Sequence, residues 1–76
     1  MKIETVTTEA GCFDIWESDR HGKSVKGTKK TSSIQVRQPM ASGYLLKTQF
    51  SFPVVDPIKR KVAIDKARSY IKETFQ

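Results

Sequence analysis

The chain changes its hydrophobic period once, and that change constrains the fold more than any other feature. Through residue 52 apolar side chains recur at every second position; past Asp56 they recur near every fourth. Alternation marks half-buried strands, and a period near 3.6 marks an amphipathic helix. Asp56-Pro57 stands at the boundary. Asp caps free backbone N–H groups, and Pro loses nothing at the first helical position. Beyond it Ala63, Ile64, Ala67, Tyr70, Ile71, Thr74 and Phe75 gather on one arc, with Lys61, Asp65, Arg68, Ser69 and Lys72 opposite. Arg60 and Val62 fall on the wrong sides of this register, which predicts an irregular first turn or a later start.

The alternating part divides into strands. Across 44–52, Leu46, Thr48, Phe50 and Phe52 share one face, with Leu45, Lys47, Gln49 and Ser51 on the other. Across 33–38, Ile34 and Val36 alternate with Ser33, Gln35 and Arg37. Pro39 to Gly43 supplies turn residues between them, predicting a hairpin. Residues 12–18 form a further strand, Phe13 and Ile15 facing one way and Cys12, Asp14 and Trp16 the other. Residues 2–8, rich in Thr, Val and Ile, supply a fourth through Glu9-Ala10-Gly11. The expected fold class is α+β: a small antiparallel sheet of three or four strands (β-β-β-β-α, or β-β-β-α with a loose N-terminus) with one C-terminal helix across one face. The expected core is Phe13, Ile15, Ile34, Val36, Leu46, Phe50 and Phe52 against Ala63, Ala67, Tyr70, Ile71 and Phe75.

At 76 residues the chain is one small domain, so a deep substrate pocket would consume much of its core. Cys12 is the only cysteine and His21 the only histidine, too few for a disulfide or a four-ligand zinc site. No apolar run suits a signal peptide or approaches a membrane span, so the expected residence is cytoplasmic.

The net charge is +6, and it is unevenly spread. Residues 1–19 set Lys2 against Glu4, Glu9, Asp14, Glu17 and Asp19, a balance of −4; the remainder holds thirteen Lys or Arg against Asp56, Asp65 and Glu73, a balance of +10. Such asymmetry creates an oriented field that attracts anionic partners. Arg20, Lys23, Lys26, Lys29 and Lys30 crowd into a connection over 19–32, spaced by small residues and by Gly22 and Gly27, which let the backbone follow a phosphate chain. The sheet side away from the helix adds Trp16, Gln35, Arg37, Lys47 and Gln49. Arg and Gln suit base edges, Lys suits phosphates, and an indole stacks on an unpaired base. Sheets do serve as nucleic-acid readers.

Catalysis finds less support. Gly22-Lys23-Ser24 lacks the glycine a phosphate-binding loop needs five positions earlier, where Glu17 stands. Asp19, His21 and Ser18 or Ser24 have triad chemistry without a rigid frame or an oxyanion site. Asp14 beside Cys12 opposes thiolate formation. The expectation is therefore a non-enzymatic, cofactor-free protein that binds nucleic acid with little sequence preference and takes no small-molecule substrate. Its rival is a protein-interaction module, with a partner protein or as a homodimer, using a sheet edge such as residues 2–8 or the face around Trp16 and Leu45.

Overall fold

A computed structural model describes residues 1–18, 22–23 and 30–75. Five strands and one helix follow in order: β1 (Lys2–Thr8), β2 (Gly11–Glu17), β3 (Gly22–Lys23), β4 (Lys30–Met40), β5 (Gly43–Pro53) and α1 (Pro57–Thr74). The main sheet is antiparallel, with β1 beside β2, β2 beside β4, and β5 on the other side of β4. Two-residue β3 pairs with Thr31 and Lys30 of β4, on the side β2 occupies further along. Residues 22–23 and 30–32, expected within the connection, thus belong to strands. The fold is α+β, four antiparallel strands and a C-terminal helix, as the change of period predicts.

Two turns end in glycines whose φ no L side chain adopts readily. Gly11 (φ +125°) follows Glu9-Ala10, and Gly43 (φ +137°) follows Ala41-Ser42. The second turn is shorter than Pro39 to Gly43 suggested, since β4 runs on through Pro39 and Met40. Pro39 is tolerated there because β2 pairing stops at Arg37, leaving β4 unpaired on that side.

The helix buries Ala63, Ile64, Ala67 and Ile71 against Phe13, Ile15, Ile34, Val36 and Phe52. Alanines at 63 and 67 let the helix approach the sheet closely. Phe75 stacks on Phe13 with ring centroids 4.2 Å apart, and Tyr70 meets Phe75 edge-on at 5.8 Å. The first turn is regular, contrary to expectation. The Asp56 carboxylate accepts from the Lys59 N–H at 3.0 Å, and the Arg60 N–H donates to the Asp56 carbonyl at 3.1 Å. Arg60 resolves its unfavourable register by reaching out to Glu17, while Val62 stays 46% exposed.

Leu46 is the one misplaced core residue, at 43% exposed. The cause is a β-bulge. Val36 pairs with Thr48 but Arg37 pairs with Leu46, so Lys47 is an extra residue in β5. Beyond it the strand's parity reverses, and Leu46 joins the face of Arg37. A second irregularity between Lys2 and Glu4 lets both Ile3 and Glu4 point toward the helix side, Ile3 into the core margin and Glu4 to Arg68.

Candidate nucleic-acid interface

Basic side chains reach the surface mainly at the start of β4 and along α1, and the open sheet face holds few of them. Trp16, Gln35 and Gln49 align across β2, β4 and β5 through the pairs Trp16↔Gln35 and Gln35↔Gln49. Arg37 shares this open face, one pair along. Lys47 does not: the bulge turns it to the helix side, where its ammonium lies 5.6 Å from the Phe75 ring centroid. Lys47 is thereby removed from the expected reading surface.

Arg37 is held rather than extended. Its guanidinium carbon lies 4.6 Å from the Trp16 ring centroid and 4.1 Å from that of Tyr44. Its Nε and Nη2 both donate to Gln35 Oε1, at 2.9 and 2.6 Å. The arginine therefore occupies part of the Trp16 surface and the Gln35 acceptor together. Asp14 faces the same side and accepts from Thr5 Oγ1 at 2.7 Å. Trp16, Arg37, Pro39, Tyr44 and Asp14 line a shallow cleft of about 310 Å³. With Asp14 opposite Arg37 in register, the central open face is close to neutral. Tyr44 was missed as a partner because the bulge, invisible in the alternation, decides which face it takes.

The other basic region lies at one end of the molecule. Arg20, Lys26 and Lys29 lie outside the described residues, as do Asp19, His21 and Ser24. Lys23 pairs with Lys30 in the β3–β4 ladder, and Lys30 is exposed at the start of β4. The Val54 N–H donates to the Lys30 carbonyl at 3.0 Å, three residues before the helix begins. Lys59, Arg60 and Lys61 follow in the first turns of α1, whose first turn holds no acidic residue. The β4 start and the helix start are thus neighbours, although 26 positions separate Lys30 from Asp56 in sequence. A helix N-terminus carries partial positive charge, so these cations add to the field already there. Lys59-Arg60-Lys61, one residue past the Asp56-Pro57 helix signal, is the legible sign of this cluster.

Two arginines are committed to the fold instead. Arg60 Nη2 and Nε donate to Glu17 Oε1 at 2.8 and 3.1 Å, tying α1 to β2. Arg68 bonds Glu4 on β1 and, at 3.2 Å, Asp65. The hydrogen bond to Glu4, then its charge, and more weakly Asp65, raise the Arg68 pKa above its usual range. Arg68 stays exposed on the outer arc of the helix while linking α1 to β1. Lys59, Lys61, Lys66 and Lys72 have no ion-pair partner among the described residues.

Exposed Cys12 lies 3.6 Å from Thr7 Oγ1. Among the described residues no group of three His, Cys, Asp or Glu side chains converges, and no helix is long and apolar enough to cross a membrane. No family model, curated protein or solved structure matches the chain.

Proposed function

We propose that this protein binds nucleic acid with little sequence preference, capturing the phosphate backbone at its basic end. The observation that carries this reading is the adjacency of the β3–β4 ladder to the helix start, which brings the start of β4, with Lys30, next to the start of α1, with Lys59 and Lys61. Cations from distant parts of the sequence gain collective strength on a polyanion, because each neutralised phosphate releases counterions. Ser33, Ser51 and Gln49 extend from that end along the open face, offering hydroxyl and amide groups to sugar and phosphate oxygens. Arg37, occupied by two rings and Gln35, contributes stiffness more than base reading. Low specificity follows from this division of labour.

The test is a salt titration of duplex and single-stranded oligonucleotide binding. Replacing Lys23, Lys30, Lys59 and Lys61 with Gln is expected to flatten the slope of log affinity against log salt by roughly 0.9 per lost duplex contact. An unchanged slope would place the phosphates elsewhere, and absence of binding at low salt would end the reading.

A further inference from the structure

We infer that β5 is a self-pairing edge, through which a second copy of this chain docks by antiparallel strand addition. The ladder itself shows which backbone groups are unused. Val54 N–H bonds the Lys30 carbonyl, one step beyond the Thr31↔Pro53 pair. Bonded and non-bonded pairs alternate in an antiparallel ladder. Ser32↔Phe52, Ile34↔Phe50 and Val36↔Thr48 are accordingly the bonded pairs. Gln49 and Ser51, opposite Gln35 and Ser33, turn their N–H and C=O groups away from β4. No strand covers that side among the described residues. Pro53, without an N–H, bounds this window at one end and the Lys47 bulge bounds it at the other.

The window is flanked by a groove between β5 and α1. Two adjoining hollows of about 460 and 250 Å³ share Phe50, Val62 and Lys66. Tyr70 extends the apolar floor, and Lys59 and Glu73 stand toward opposite ends of the rim.

The charge order selects the occupant. A two-fold axis at Phe50 sets Gln49 of one copy against Ser51 of the other, and the reverse, which satisfies all four outward groups on each copy. The same axis runs the two helices antiparallel and brings Lys59 of each toward Glu73 of the other. The two Phe50 rings meet beneath the helices, and Asp65 beside Lys66 offsets the lysine charge near the axis. Such a contact is isologous and closed, so it ends at a dimer and does not propagate.

Sedimentation equilibrium of the full chain without nucleic acid tests this. The expected result is a monomer–dimer equilibrium with a dissociation constant between roughly 1 μM and 1 mM. Ser51→Pro removes an outward donor while sparing the β4 ladder, and is expected to weaken the dimer by about tenfold or more. Lys59→Glu and Glu73→Lys are each expected to weaken it, and the two together to restore it. The charge swap decides the matter should Ser51→Pro lose its native circular dichroism. A chain that stays monomeric at millimolar concentration overturns the proposal, as does a dimer indifferent to all three substitutions. A monomer whose Gln49 and Ser51 amides shift on adding an extended acidic peptide would assign the groove to a foreign strand and overturn self-pairing.

Discussion

The two faces of the sheet are held by different physics. The covered face is apolar: Phe13, Ile15, Ile34 and Val36 are essentially inaccessible, and α1 lies over them. The open face centres on a charge, with Arg37 between Trp16 and Tyr44 and bonded to Gln35. Burial is non-directional, so the covered face tolerates exchange among side chains of similar volume. The Arg37 cluster depends on distance and angle, so it tolerates little exchange even though it contributes less energy. Stability and surface geometry are thereby assigned to opposite sides of one sheet.

Substitutions that separate these contributions form a graded series. Ile34→Ala, at the centre of the covered face, should cost about 2–5 kcal/mol. A core this small supplies only roughly 3–5 kcal/mol of net stability, so urea unfolding should find that variant largely unfolded without denaturant. Arg37→Ala should cost about 1–2 kcal/mol, with a red shift of Trp16 emission as the ring gains water. Arg37→Lys should recover part of the stability and none of the Gln35 fork. Equal losses for Ile34→Ala and Arg37→Ala would erase the contrast between the faces.

Smaller effects sharpen it. Asp56→Ala removes the helix cap and should cost about 1 kcal/mol in urea midpoint analysis. Arg60→Gln breaks a part-buried pair with Glu17 and should cost about 1 kcal/mol, less in high salt. Leu46→Thr should change stability by no more than about 0.5 kcal/mol, because the bulge has already moved this leucine to the open side. A loss above about 2 kcal/mol would return Leu46 to the core and refute the reversed parity.

The helix was legible because two independent signals agreed, the Asp56-Pro57 start and the recurrence of Ala63, Ala67 and Ile71. Strands 12–18 and 33–38 were legible because Phe13, Ile15, Ile34 and Val36 alternate without interruption. The alternation misled at Leu46, where it continues in sequence but not in space. Nothing in Leu-Leu-Lys-Thr marks an inserted residue; the bulge is set by how β5 fits the twist of β4. Arg60 misled differently, since a long side chain on an unfavourable arc can still reach Glu17. The basic end was legible only in its parts. Lys30 and Lys59–Lys61 are remote in sequence, and only the β4–β5 pairing makes them neighbours. Lys47 was assigned to the open face by parity alone, and one extra residue moved it.

The irregularity at Lys47 divides β5 into two segments that answer to different rules. From Thr48 to Phe52 alternate side chains face the helix, and exchange at Phe50 or Phe52 meets the core. From Gly43 to Leu46 the offset from the sequence alternation comes from a single supernumerary position. Deleting Lys47 would turn the bulge into a regular step. Thr48 would still oppose Val36 and Leu46 would still oppose Arg37, so Tyr44, Leu45 and Leu46 would keep their faces and the clasp on Arg37 would stand. The hairpin tip is thus indifferent to the loss of one codon at this point: the deletion would strip the lysine from the Phe75 ring and leave both the tip and the hydrophobic base in register.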